Sequence, residues 1–165
     1  MPETMTDKEF NMCVDAYSDN LFRFLLKNVK DRDTARNIVQ SAFEKLWVKH
    51  STLEMEKAKS YLFTTGYHLM IDELRYHSRF VNVDEVDLGA SREVAVSGDV
   101  KRLLDKGLQR LPDDQRSVVL LRDYEGYSYE EIASITGLSL QQVKVYIFRA
   151  RTYLKNYIGK MEDVV

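Results

Sequence analysis

Residues 128–154 read Ser128-Tyr-Glu-Glu-Ile-Ala-Ser-Ile-Thr-Gly-Leu-Ser-Leu-Gln-Gln-Val-Lys-Val-Tyr-Ile-Phe-Arg-Ala-Arg-Thr-Tyr-Leu154. Ser128 with Glu131 makes a capping box, which satisfies two orphan backbone donors at a helix start. Ile132, Ala133 and Ile135 give that short helix an apolar side. Gly137 stands where a left-handed residue must end it. Ser139 with Gln142 repeats the capping-box pattern and opens a second helix. The spacing predicts a helix-turn-helix, with Ala133 before the glycine and Val143 after it allowing close approach.

The second helix has two sides. Val143, Ile147, Ala150 and Leu154 follow helical spacing and are expected to face the core. Gln141, Val145, Phe148 and Thr152 lie roughly 200° around at about 100° per residue. They are expected to face outward, with Lys144, Arg151 and Lys155 flanking them and Arg149 on the other edge. Residues 144–160 hold five basic residues and no acidic one. A basic helix alone is usually just a solvated face. Two capping boxes, the turn glycine and the preceding helix favour a reader of DNA, in which cations meet phosphates while Gln and Lys reach base edges.

The rest of the chain bounds what such a reader belongs to. It has 165 residues, with two Pro and seven Gly, which suits a helical protein of one domain or two small ones. Its formal charge of −2 argues against nonspecific coating of DNA, so binding must come from local patches. No stretch approaches the roughly 20 apolar residues of a membrane span, and no secretory leader is read, so the expected location is the cytoplasm. Cys13 is the single cysteine and reads as a core or boundary residue in preference to a reactive thiol. His50, His68 and His77 lack metal-ligand spacing, and no phosphate loop or nucleophile motif is present. An enzyme, a cofactor and a metal site are therefore not expected.

Helical periods divide the chain. Thr6 and Glu9 cap a first helix carrying Phe10, Val14, Tyr17, Leu21, Phe24 and Leu25. Asp31 opens a second, whose apolar set is Ala35, Ile38, Val39, Ala42, Phe43, Leu46 and Trp47. A loop follows near 50–56. A third helix over about 57–78 is aromatic, with Tyr61, Phe63, Tyr67 and Tyr76. Residues 80–100 hold one basic residue, Arg92, against five acidic ones. That stretch reads as a linker, which suggests two halves not ordered relative to each other. Beyond it, Ser97 can cap a helix with Leu103, Leu104, Leu108 and Leu111. Pro112, Asp113 and Asp114 suit the first turn of another.

Four ordered blocks resemble a known family. They are Asp33-Thr-Ala-Arg-Asn-Ile-Val-Gln-Ser-Ala-Phe-Glu-Lys-Leu-Trp47, Ser60-Tyr-Leu-Phe-Thr-Thr-Gly-Tyr-His-Leu-Met-Ile-Asp-Glu-Leu-Arg75, Leu111-Pro-Asp-Asp-Gln-Arg116, and Glu125-Gly-Tyr-Ser-Tyr-Glu-Glu-Ile-Ala133 continued by Val143-Lys-Val-Tyr-Ile-Phe-Arg-Ala-Arg151. Together they resemble the extracytoplasmic-function (ECF) group of sigma-70-type bacterial sigma factors. The resemblance implies an all-α fold. A sigma-2-like helical bundle at 7–79 and a sigma-4-like four-helix domain at 99–160 would flank a flexible acidic linker at 80–98, which resembles the segment threading toward the RNA exit channel.

The resemblance also implies roles. Arg36, Asn37, Gln40, Ser41 and Glu44 would dock on the RNA polymerase core. The loop at 50–56 would take a flipped base, while Tyr61, Tyr67, His68, Arg75 and Arg79 would meet −10 promoter DNA. Gln141, Lys144, Val145, Phe148 and Arg149 would read the −35 element, with Arg151 and Lys155 on phosphates. Core polymerase, promoter DNA and an anti-sigma factor would be the partners, without direct membrane insertion. Departures stand at Asn37 and Ser41, where the family usually has acids, and at Gly66, His68, Lys144 and Val145.

Overall fold

The computed structural model describes residues 3–80 and 100–164. Beyond Phe80, the linker expected at 80–98 lies outside them, as does the Ser97 cap. The described residues form helices α1 (Asp7–Val29), α2 (Arg32–Lys49), α3 (Ala58–Phe80), α4 (Val100–Arg110), α5 (Asp113–Val119), α6 (Tyr129–Thr136) and α7 (Leu140–Val164). Two 3₁₀ turns, His50–Thr52 and Met55–Lys57, connect α2 to α3.

Local chemistry sets the boundaries. The Thr6 hydroxyl accepts from Glu9 N–H at 3.1 Å, and Glu9 accepts from Thr6 N–H at 3.0 Å. Lys30, at φ 63°, ends α1 in the left-handed region, its N–H bonding Leu26 C=O at 2.9 Å. The next residue, Asp31, caps α2 by accepting from Thr34 N–H at 3.2 Å and from its hydroxyl at 2.5 Å. These bonds, the hydroxyl's first, hold the Asp31 carboxyl below its ordinary range. A two-residue connection thus folds α2 back on α1.

Helices α1–α3 form one bundle. Leu21, Phe24, Leu25, Ala35, Ala42, Leu46, Leu62, Phe63 and Met70 fill it. Cys13 is buried among them, its thiol pushed up by burial and then by Glu9. Gly66 explains itself here: a Cβ would meet Leu21 Cδ1 at 3.0 Å, so the glycine lets α3 lie close on α1. Trp47 departs from expectation. It ends the apolar series of α2 yet is 46% exposed, covered only in part by the rings of Phe10 and His50.

Helices α4–α7 form the second bundle around Leu108, Val118, Leu120, Ile132, Ile135, Val143, Ile147 and Ala150. The four positions expected to face the core from α7 are all buried. At Gly107, a Cβ would come within 2.8 Å of Leu154 and 3.2 Å of Tyr157, both on α7. One element escaped sequence reading. After α5 the chain widens into a π-helical turn, Leu120–Tyr124, with Glu125 N–H reaching Leu120 C=O at 3.1 Å.

The two halves pack against each other, contrary to the expectation drawn from the linker. Arg116 is buried between them. Its Nε donates to Asn28 Oδ1 at 3.0 Å, its Nη1 to Leu111 C=O at 3.1 Å and its Nη2 to Asp113 at 2.6 Å. Ser117 Oγ donates to the same Asn28 oxygen at 3.3 Å, and Asn28 Nδ2 donates to Phe24 C=O at 2.8 Å. Nearby, the ring of Tyr127 meets Phe63 edge-on at 5.3 Å, with the Lys59 ammonium 5.0 Å from its centre. Arg23–Glu125 at 3.0 Å and Lys27–Asp105 at 3.1 Å close the rim. Apolar spacing reveals that a face is buried but not what covers it, which is why the sequence left this contact unread.

Two substitutions check this packing by urea unfolding. Asn28→Ala strips Arg116 Nε and Ser117 Oγ of their acceptor and is expected to cost about 1–3 kcal/mol. Gly107→Ala forces α4 and α7 apart and is expected to cost about 1–3 kcal/mol as well.

Candidate nucleic-acid interface

Helix α7 carries a largely exposed aromatic side chain, Phe148, on a side that also bears basic residues. Its start is fixed by Ser139 Oγ accepting from Gln142 N–H at 3.1 Å, while Gln142 Oε1 accepts from Ser139 N–H at 2.9 Å. Gly137, at φ 80°, turns the chain between α6 and α7, its N–H bonding Ala133 C=O at 2.9 Å. With Val143 and Ile147 locked inward, Gln141, Lys144, Val145, Phe148, Arg149 and Lys155 are exposed. Phe148 is 71% exposed. An aromatic ring left in water on a basic helix suits contact with thymine methyls. Arg151 continues the stripe, but two of its donors are engaged: Nε and Nη2 bond the Asp123 carboxylate at 3.0 and 2.5 Å.

A second stripe lies on α3. Tyr61, His68, Arg75 and Arg79 are spaced by seven, seven and four residues, which keeps them within about 40° of one another at about 100° per residue. His68, Arg75 and Arg79 are exposed and Tyr61 is half-buried. Lys49, which sequence reading passed over, holds its ammonium 5.9 Å from the Tyr61 ring centre. Asp72 shares this side and is exposed. Tyr67 does not join the group. It is 5% exposed, and burial, followed by the charge of Asp114, pushes its phenol up to about 12. Tyr67 points toward the second half instead of toward solvent.

The loop before α3 is held from two sides. Met5 N–H donates to Leu53 C=O at 2.7 Å, strapping the amino-terminal segment across it. His50 stacks on Trp47 with centroids 4.2 Å apart and planes 13° from parallel. Its Nδ1 lies 2.5 Å from Trp47 C=O and its Nε2 2.7 Å from an Asp7 carboxylate oxygen. Both neighbours are acceptors, so the arrangement is complete only when both ring nitrogens carry hydrogen. The Trp47 carbonyl and then Asp7 accordingly raise the His50 pKa.

On α2, Arg36, Asn37, Gln40, Ser41 and Glu44 share one side; Ser41 is half-buried and the others are exposed. Arg36 lies 3.7 Å from Asp33, and Gln40 donates to Glu44 at 3.2 Å. Among the described residues no group of three or more His, Cys, Asp or Glu is arranged to hold a metal ion. No helix among them is long and apolar enough to cross a membrane.

Known proteins align with both halves. A family model described as "Sigma-70 region 2" matches residues 13–80, and one described as "Sigma-70, region 4" matches residues 101–154. The ECF RNA polymerase sigma factor SigM of Bacillus subtilis is 28% identical over 144 residues, 84% of this chain and 88% of that protein. SigX of the same organism is 26% identical over 169 residues, 95% of this chain and 87% of that protein. Among solved structures, the sigma factor RpoE in complex with the anti-sigma factor NepR from Bartonella quintana matches with TM-score 0.75 and 25% identity, covering 92% of this chain and 98% of that one.

The His50 clamp has a definite pH signature. Its folded pKa is raised above the ordinary 6.5, so its stabilisation is fully present below about pH 6.5 and is lost as pH rises through the raised value. The stability gap between wild type and His50→Gln, followed by thermal unfolding across pH, is expected to be widest on the acidic side and to shrink as pH rises through the raised pKa.

Proposed function

The chain belongs to the ECF group of sigma-70-type RNA polymerase sigma factors, and we propose that it selects promoters at two points, one with each half. A sigma factor is a specificity subunit of RNA polymerase and not an enzyme in its own right. The observation that carries the two-point reading is the pair of separate stripes: a basic, aromatic one on α3 and a basic one with exposed Phe148 on α7.

In this reading the sigma-2-like unit is 7–79, the linker 80–98 and the sigma-4-like unit 99–160. The α2 side with Arg36, Asn37, Gln40, Ser41 and Glu44 docks on core polymerase. Tyr61 and His68 stack on unpaired −10 bases while Arg75 and Arg79 hold the backbone, which is the usual division of labour on single strands. The 50–56 loop takes a flipped base. Tyr67 joins them only once the second half moves off α3, because the closed arrangement buries it.

On α7, Gln141, Lys144, Val145, Phe148 and Arg149 enter the major groove at −35. Lys144 and Gln141 bond base edges, and Val145 and Phe148 contact thymine methyls. Arg151 and Lys155 meet phosphates, which position the helix without reading sequence. No covalent step is required; trapping unstacked bases stabilises the open promoter. Each unit alone binds weakly, and tethering both to polymerase raises the effective concentration of the second contact. RpoE is held by an anti-sigma factor, and the same kind of partner is proposed for this chain, acting in the cytoplasm.

Run-off transcription with bacterial core polymerase tests the reading. Promoter-dependent transcripts are expected only when the chain is added. Tight duplex binding by the chain alone, without any transcript, would identify a stand-alone transcription factor instead. Within α7, Lys144→Ala is expected to relax preference at one −35 position by about tenfold, read from transcription of a randomised −35 library.

A further inference from the structure

The π-helical turn after α5 has no counterpart in the reading of bases. Glu125 N–H skips to Leu120 C=O, and the widened turn aims two neighbouring side chains at the helix-turn-helix. Arg122 donates to Tyr127 C=O at 3.0 Å and lies 4.7 Å from the Tyr129 ring centre, which pins the turn to the start of α6. Asp123 reaches the middle of α7 and takes Arg151 with both carboxylate oxygens.

We propose that Asp123 is a positioning residue for DNA: it grips one edge of the Arg151 guanidinium and turns the other edge toward a backbone phosphate. The proposal rests on the reading of α7 as the −35 helix. Lys144, Phe148, Arg151 and Lys155 step by four, three and four residues and so form one line. Arg151 is thus on the reading stripe, one turn beyond Phe148, where the groove gives way to backbone. A guanidinium has five donors in a fixed plane. Asp123 takes Nε–H and one hydrogen on Nη2, and Tyr129 also lies beside this guanidinium, yet the Arg151 side chain is 48% exposed and keeps donor capacity for a phosphate.

The carboxylate also has a cost. It offsets the positive charge that attracts phosphate, and an exposed ion pair adds little to stability. Its benefit is therefore directional. A long side chain that would sample many rotamers is held in one, so less freedom is lost when phosphate binds.

The test uses the full chain assembled with core polymerase, binding promoter fragments with and without a −35 element at several salt concentrations. Arg151→Ala and Asp123→Ala are each expected to weaken binding of the −35 fragment about tenfold, whatever its −35 sequence. Arg151→Lys, which keeps charge but loses the planar fork, is expected to be nearly as weak. The double variant is expected to be no weaker than Arg151→Ala alone, since the two side chains act as one unit. All are expected to match wild type on a fragment that ends downstream of the −35 region, where α7 meets no DNA and a merely structural role would still show a loss. Asp123→Asn, which keeps shape and one acceptor, is expected to fall between wild type and Asp123→Ala, and it decides the matter should Asp123→Ala not fold. Unchanged binding by the Asp123 variants, or tighter binding with steeper salt dependence, would overturn the proposal. If Lys144→Ala leaves −35 preference intact, the α7 reading itself fails and this proposal with it. If Lys144→Ala shifts preference while Asp123→Ala does nothing, only the proposal fails.

Discussion

A guanidinium buried between two helical bundles has to be fully hydrogen-bonded, and that requirement shapes the whole molecule. Arg116 comes from the second half, while its Nε acceptor, Asn28, comes from the first. Asn28 is oriented in turn by Phe24 C=O one turn earlier on α1. The geometry is satisfied in only one relative placement of the halves. Buried ionic groups are weak sources of net stability because desolvation offsets much of the attraction, but leaving one unpaired is severe. The contact therefore specifies how the halves meet more than it holds them together. The Tyr127 hydroxyl, buried without a hydrogen-bond partner among the described residues, works in the same direction. Opening returns that hydroxyl to water, which lowers the cost of separating the halves.

This balance matters for a chain whose proposed contacts divide into two sets. The α7 stripe and the α2 side are exposed in the closed arrangement, so docking on polymerase and first contact with duplex need no rearrangement. Tyr67 is the exception, buried where the two halves meet. In the proposed reading the α2 side, the α7 stripe and most of the α3 stripe are free from the start, and Tyr67 alone is withheld until the halves part. The net charge of −2 fits the same picture, since affinity is concentrated on stripes and completed by the larger assembly.

Much of this was legible in the sequence wherever the controlling interaction is local. The capping boxes at Thr6, Ser128 and Ser139, the left-handed glycine at 137 and the inward line Val143, Ile147, Ala150 and Leu154 all stand in the structure as their spacing requires. Gly66 first appears as a departure from a family pattern, and its cause is the nearness of Leu21, which no local rule reveals. The same limit applied to Tyr67, Trp47 and the π turn. An aromatic residue on a helix reads alike whether it faces solvent, its own bundle or another, and an extra residue in a helix's last turn leaves no helix beyond it in which the shifted phase could show. The candidate site residues on α3 and α7, Tyr67 apart, fall on exposed or half-buried stripes because exposure on a helix is periodic. Which of them are already engaged, as Arg151 is, required coordinates.

The stacking of His50 on Trp47 has a consequence of another kind. Trp47 is the chain's single tryptophan. An imidazolium lying flat on an indole drains its excited state far more effectively than a neutral ring does. The stacked pair therefore offers an intrinsic optical gauge of the loop ahead of α3: emission is expected to be dim while the clamp is charged and closed, and to brighten when the loop lets go. That signal belongs to the unmodified chain and comes from the very segment proposed to receive a flipped base, so the arrival of promoter DNA at that loop is open to observation without attaching a label.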